Sequence, residues 1–263
     1  MRAVSGGRSL KARINATEWR EIQRVLAGYT GDVGILGPLA PLGLWADGAL
    51  SPEALDLFRG FTERRGGVTA RLRNRFELVT CHAWFSLSRA GTIMIDDGEG
   101  LTFQACQPGF FPIFLRSFLR IGPLPIAEIE GTAIGLETIE FATAGLETTE
   151  FATIEFTAAA QLLEEGSWES SEGGDERLAD SLRAAAPKIS HAVMDGDWRL
   201  WSVTAGKVRE NQTRPGEAFI VLATPHGSLG ILPSTKNGNA AAIVPLRSSA
   251  IWEVLTRMIA PTC

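Results

Sequence analysis

The chain has 263 residues, a formal net charge of −5 and 45% apolar residues. That length supports one large domain or two small ones with real cores, and the acidic balance excludes the basic footprint of a nucleic-acid binder. Three cysteines without motif spacing exclude a disulfide framework and a zinc site. This usage suits a reducing cytosol, so a cytoplasmic location is expected, and no apolar run approaches the ~18 residues of a membrane span.

Residues 1–13 are basic and lack an apolar segment, so they read as a disordered tail and not as a secretory signal. Asn15, Ala16, Thr17 and Glu18 spell a capping box, and Trp19, Ile22 and Leu26 carry the helix it opens to about Ala27. The stretch 28–48, with its GPLAPLG run, reads as a connecting loop. It lacks the preceding strand and the following lysine that a phosphate-cradling loop needs. Ser51, Pro52 and Glu53 open a second helix, with Ser51 as N-cap and Pro52 in the first turn; Leu55, Phe58 and Phe61 face inward and Arg64–Gly67 closes it.

A strand meander follows from Val68. In Leu78–Ser88, Val79, Cys81, Ala83, Phe85 and Leu87 alternate with polar or bulky positions and give one apolar face. Gly91–Ile95 and Leu101–Cys106 continue it around the Asp96–Gly100 turn. Phe111, Phe114, Leu115, Phe118 and Leu119 then form a helical stripe ending at Arg120. These elements make an N-terminal half, 14–123.

A middle region, 124–197, is expected to be helical. Within it, residues 134–156 repeat with period five. Leu136, Phe141, Leu146, Phe151 and Phe156 mark one series; Ile134, Ile139, Ala144, Thr149 and Ile154 mark another. That period fits neither helix nor strand and resembles pentapeptide-repeat proteins. A run this short cannot bury its own ends as a solenoid, so an inserted, duplicated segment docked on the main fold is the preferred reading. Phe156–Glu165 reads as helix, the acidic 166–176 stretch as a surface loop, and Arg177–Ala186 as a helix stopped by Pro187, before a short helix over Ile189–Met194.

The C-terminal half, 198–263, has the clearer pattern. Trp198–Ala205 reads as an edge-like strand. Glu217–Ala223 is an unbroken apolar run, expected as a central strand buried on both faces. Leu229–Leu232 and Ala240–Leu246 are joined by a hairpin at Asn237-Gly238. Ser248 is a plausible N-cap for a helix with Ile251, Val254, Leu255 and Met258 on its buried stripe, ended by Pro261. This repeats the element order of Val68–Arg120 without repeating its residues. The expected fold class is α+β: a quasi-two-fold, duplicated antiparallel meander sheet with helices packed on it.

No catalytic constellation emerges. His82, His191 and His226 are far apart and form no metal-ligand pair. Cys81 and His82 are strand neighbours and point to opposite faces. Asp96, Asp97 and Glu99 lack the calcium-loop pattern. No cofactor, metal or catalytic residue is therefore expected. Trp45 and Trp168 lie in loops, where an exposed tryptophan can anchor a protein partner.

The order of these elements resembles a known family. NATEWREIQRVL, the Pro/Gly loop, LSPEALDLF, the first meander with its Pro-led helix, DERLADSLRAAAP, EAFIVLATPHGSLGILP and AAIVPLRSSAIWEVLTRMIAP together resemble the EspG family, chaperones of type VII (ESX) secretion. The likeness spans roughly residues 14–261, apart from the repeat, and rests on patterns of apolar positions. It implies a quasi-two-fold fold with a central antiparallel sheet and two helical flanks. It also implies a non-catalytic function: binding the apolar helical tip of a PE–PPE-type substrate dimer and keeping it soluble. In the family a loop between strands and the C-terminal flank make the contact. The corresponding positions here are Arg73, Arg75 and Phe76, with Arg209, Gln212 and Arg214 in the second copy; Trp168 joins them as a loop tryptophan. The 73–77 loop is shorter than the family's. Two other readings stand beside this one: an enzyme with a pocket between the sheet halves, using His226 with Asp195 or Glu217, and a pentapeptide-repeat interaction module.

Overall fold

The computed structural model describes residues 11–29, 40, 43–129, 153–155, 174–209, 212–213, 218–233 and 240–260. In chain order the first half contains β1 (Lys11–Ile14), α1 (Ala16–Leu26), the short hairpin β2 (Trp45–Ala46) and β3 (Ala49–Leu50), and α2 (Pro52–Thr62). The meander β4 (Arg64–Arg73), β5 (Leu78–Ser86), β6 (Gly91–Asp96) and β7 (Leu101–Cys106) follows, then α3 (Phe111–Phe118). The second half contains β8 (Thr153–Glu155), α4 (Gly174–Leu182), α5 (Pro187–Met194), β9 (Arg199–Arg209), β10 (Gln212–Thr213), β11 (Ala218–Thr224), β12 (Gly227–Pro233), β13 (Ala240–Leu246) and α6 (Ser248–Ile259). The protein is α+β, with no described helix long and apolar enough to cross a membrane.

Local chemistry sets the helix starts. Asn15 accepts hydrogen bonds from the Thr17 and Glu18 amides, and Glu18 accepts one from the Asn15 amide, completing the capping box of α1. Ser51 caps α2 through the Ala54 amide, with Pro52 in the first turn. Ser248 is not a cap: Arg247 holds that position in α6, and the Ser248 hydroxyl instead donates to the Gly122 carbonyl and accepts from the Leu124 amide.

The strands form one antiparallel, 11-stranded sheet in the order β1-β7-β6-β5-β4-β9-β11-β12-β13-β8, with β10 paired to β9. The order reads the same outward from the centre in both directions: a four-strand meander on each side, closed at its outer edge by a short strand from the start of that half. The seam is the pairing of β4 with β9, running from Gly66↔Lys207 to Arg73↔Leu200.

Three expectations change here. Trp198–Ala205 is no edge: β9 has β4 on one side and β11 on the other, because the second meander docks on the first through its first strand. Arg64–Gly67 does not end α2 but starts β4, with a bulge between Arg64 and Gly66. Residues Lys11–Arg13 are not tail, since they pair with β7 from Lys11↔Gln104 to Arg13↔Thr102. The described part of the middle region is likewise tied to the second half, because β8 pairs with β13. Asn237-Gly238 and most of the five-residue repeat lie outside the described residues.

Helices cover both faces. On one, α3 and α6 pack together over Val68, Ala70, Leu72, Cys81, Ala83, Phe85, Trp201, Val203 and Val221. The two helices bury the same spacing, Phe111, Leu115 and Leu119 against Ile251, Leu255 and Ile259. On the other face the first half is covered by α1 and α2, with Trp19, Ile22, Phe58 and Phe103 in their core. The second half is covered there by α4 and α5 over Leu200, Ile220, Leu222, Leu229 and Ile231.

Contact between α2 and the sheet is close at Gly60, where a Cβ would stand 2.4 Å from the Thr92 amide and 2.5 Å from the Trp84 carbonyl. Just beside it the Thr92 hydroxyl donates to the Leu57 carbonyl at 2.7 Å. Gly60→Ala is therefore expected to lower stability by about 1–3 kcal/mol or more in urea unfolding, since rigid backbone must move to admit the methyl. The same change at Gly109, where nothing lies within 4 Å, is expected to stay within about 0.5 kcal/mol of the parent.

Candidate functional site

Strand polarity decides which proposed contact residues can meet. The chain runs along β4 toward Arg73, turns at Asn74–Glu77 and returns along β5. β9 is antiparallel to β4, so it starts where β4 ends, at Leu200 opposite Arg73, and finishes beyond Lys207. The β9–β10 pairing, Gln212↔Arg209, therefore lies at the opposite end of the seam from Phe76. Arg209 lies nine residue steps along β9 from Leu200, about 30 Å. The structure places Arg73, Arg75 and Phe76 at one end of the seam and the Arg209–Gln212 pairing at the other. Trp168 and Arg214 lie outside the described residues.

The Arg73 end is built from four elements. Asn74 organises the β4–β5 turn: its side-chain oxygen accepts from the Phe76 and Glu77 amides, and its amide group donates to Glu77. This Asx geometry leaves Phe76 at the tip, 78% exposed. Arg75 lies over Gly196, in the turn between α5 and β9; a Cβ there would stand 2.6 Å from the Arg75 chain. Gly196 has φ +78°, a backbone conformation that favours glycine, whereas the Arg75 atoms near it belong to the end of a flexible side chain that can give way. Arg120, just beyond α3, pairs with Glu77 at 3.6 Å. Burial first, and the nearby Arg120 charge second, hold the Arg199 guanidinium, at the start of β9, below its ordinary value, with Asp197 opposing. Asp175, in the first turn of α4, is half-buried. Burial pushes its carboxyl upward from the ordinary value, while the Trp198 indole and then the Arg73 and Arg75 charges draw it back. The indole N–H of Trp198 faces this carboxyl without reaching hydrogen-bond geometry. Sequence reasoning missed Asp175 and Trp198 here, since neither is near Arg73 in the chain: the β4–β9 register brings Trp198, and the packing of α4 brings Asp175.

The seam is polar on the face where α1–α2 and α4–α5 stand apart. Register sets His82, Thr69 and Thr204 in one row and Thr80, Arg71 and Ser202 in the next. The Thr69 hydroxyl and His82 Nδ1 are 3.1 Å apart, and the His82 ring stacks on Trp84. Burial first, and the Arg71 guanidinium second, hold the His82 imidazole below its ordinary value, with Asp96 opposing.

Other candidates resolve into structure. Arg13 reaches the acidic turn, with Asp97 at 2.9 Å and Glu99 at 3.7 Å, so its carboxylates already have a cation. Among the described residues no group of three or more His, Cys, Asp or Glu side chains is placed to hold a metal. His226 lines a cavity of about 150 Å³ with Pro125, Ile126, Glu128, Lys188, Ile189 and Pro225. Asp195, named with His226 for a catalytic pair, is not in that lining, and Glu217 lies outside the described residues. Lys188 donates to Glu128 at 2.6 Å and holds that carboxyl below its ordinary value. Leu87, expected on the buried face of β5, is 78% exposed because the strand ends at Ser86. No family model matches the chain, and no curated protein matches it.

His82 gives a pH test. Its folded-state value is depressed, so the unfolded chain binds more protons as pH falls through the unfolded value of 6.5. Stability is then expected to decline with acidification below that point, and His82→Gln to flatten this part of the curve. Urea midpoints between pH 5 and 8 measure it.

Proposed function

We propose that the chain is a protein-binding chaperone of EspG type that holds a helical secretion substrate, of the PE–PPE kind or related to it, in soluble form. The observation that carries this reading is the palindromic strand order with helical layers on either side of the seam. It is the architecture that the resemblance implies, and it reaches us from strand pairing and not from residue similarity. Residue repetition is absent between the halves, so internal duplication is proposed on element order alone. A second support is the β4–β5 turn, where a largely exposed aromatic ring stands among arginines. An exposed phenylalanine held by a rigid turn is the kind of anchor around which protein interfaces are built. The task needs a shaped surface that covers an aggregation-prone apolar patch, and no reactive group. A cytoplasmic setting accords with the buried thiol of Cys81, which carries no disulfide.

Co-expression with helical-hairpin proteins encoded near the gene, followed by affinity capture and size exclusion, tests the reading. A stable complex with a partner that is insoluble alone is expected; the absence of any such complex would overturn it. Because Phe76 is exposed, Phe76→Ala is expected to leave the melting temperature unchanged while weakening the complex by about tenfold or more, as a buried interface aromatic does.

A further inference from the structure

The end of the seam opposite Phe76 carries charge of one sign. Antiparallel pairing gathers there the close of β5, the starts of β4 and β6, the close of β7 and the far part of β9. Gly91 pairs with Phe85 and Cys106, and Gly66 pairs with Phe85 and Lys207. Four strand spacings separate β7 from β9, about 20 Å. Arg64 and Arg65 at the start of β4, Arg89 in the β5–β6 turn and Lys207 on β9 are all exposed. Across residues 62–66, 86–91, 106–113 and 205–207 the one acidic side chain is Glu63, which accepts from the Ser88 hydroxyl at 3.0 Å. Elsewhere arginines are neutralised locally: Arg13 by Asp97, Arg24 by Glu21, Arg59 by Asp56 and Arg120 by Glu77. Among the described residues none of the four cations at this end forms an ion pair. Arg64 lies instead over the Phe61 ring, 5.0 Å from its centroid.

Three large apolar side chains stand out at the same end. Leu87 is 78% exposed, Phe110 62% and Ile113 59%. Leu87 sits on the tight β5–β6 turn, which is closed by the Ser86 amide donating to the Ala90 carbonyl at 2.9 Å and by the Ser86–Ser88 hydroxyl pair at 2.7 Å. Phe110 and Ile113 are one helical turn apart at the start of α3, where the buried Phe111 packs on Phe85. The fold therefore holds these side chains outward among unpaired cations. Side chains that project from a turn and a helix start can sink into a soft surface, whereas a protein would need hollows to receive them. The cations around them call for anionic groups spread over the same plane. A layer of anionic lipid headgroups above acyl chains supplies both. The net charge of −5 does not oppose this, because charges more than about 10 Å away are screened by salt and the local sign prevails.

We propose that this end of the sheet docks the protein on an anionic lipid surface. Leu87, Phe110 and Ile113 dip into the headgroup boundary, and Arg64, Arg65, Arg89 and Lys207 pair with the anionic headgroups around them. The docking is peripheral and crosses no bilayer. It goes beyond the chaperone reading and does not depend on it. Phe76 lies at the other end of the seam, so a chain held in this way turns the β4–β5 turn away from the lipid.

The test is co-sedimentation of the full chain with vesicles, one set of phosphatidylcholine alone and one with about a third of it replaced by phosphatidylglycerol. The anionic vesicles are expected to bind about tenfold or more tighter, and the preference to fall with added salt. Arg65→Gln combined with Lys207→Gln is expected to weaken anionic binding by about tenfold or more, at up to about fivefold for each cation lost. Leu87→Ser combined with Phe110→Ser is expected to weaken it by about tenfold as well, since the apolar contact with the lipid is lost. All four positions are exposed, so the melting temperatures of both double variants are expected to match the parent. Arg120→Gln removes one charge at the far end and is expected to change vesicle binding by less than about twofold. Equal binding to both vesicle types, binding to neither, or anionic binding indifferent to the cation pair would each overturn the proposal. Anionic binding that the apolar pair leaves unchanged would overturn it too, by exposing a purely electrostatic attraction. A blocked glutamate-rich peptide is the competing probe: if it binds at these residues and the vesicles do not, the end is the site of an acidic protein and the lipid proposal falls. Capture of a helical partner with failure on vesicles leaves the chaperone reading standing alone, and the reverse leaves only the lipid surface.

Discussion

The structure depends on one strand pairing. β4 and β9 lie side by side and antiparallel, from Gly66↔Lys207 to Arg73↔Leu200. Without that ladder each meander would end in an open edge of unpaired backbone groups, at β4 in one half and β9 in the other. With it, two meanders become a single sheet whose outer edges are taken by the short strands β1 and β8. The pairing also brings α3 and α6 together over the centre, where Phe111, Leu115, Ile251 and Leu255 share a core with Val68, Trp201 and Val203. Hydrophobic burial across the seam therefore joins the halves alongside the hydrogen bonds.

Antiparallel pairing at the centre has a geometric consequence. The turn that follows β4 and the turn that follows β9 leave from opposite ends of the seam. Residues in matching places of the two halves are thereby separated by the length of a strand, and a partner touching Phe76 does not reach the β9–β10 hairpin by the same contact. The Arg73 end gains its neighbours instead from α4 and from the turn before β9. There Asp175, Gly196, Asp197 and Trp198 close around arginines from β4 and from the end of α3.

The two faces of the central strands differ in kind, and each difference has a role. Alternate residues of β4 and β5 are apolar toward α3 and α6, while Thr69, Arg71, Thr80 and His82 look the other way. Helices stand over the outer strands of that second face, and the polar rows of β4 and β9 lie between them. Arg73 belongs to this row and ends it in a buried position, where β4 passes into the β4–β5 turn.

The sequence by itself determined what depends on near neighbours. The capping box at Asn15, the Ser51-Pro52 helix start, the alternation in β5 and the apolar run of β11 are all satisfied within a few residues, so their patterns translate directly into elements. The shared order of the two meanders was legible for the same reason. Tertiary structure decided what depends on distant partners. Trp198–Ala205 carries too few apolar residues in a row to signal a central strand, because Ser202 and Thr204 interrupt its second face; only its pairing with β4 places it in the middle of the sheet. Lys11–Ile14 is too short to announce itself and exists as a strand because β7 offers an edge. Trp198 becomes a companion of Arg73 through the β4–β9 register, and Asp175 through the packing of α4 on the same face, relations between residues about a hundred positions apart that no local period encodes.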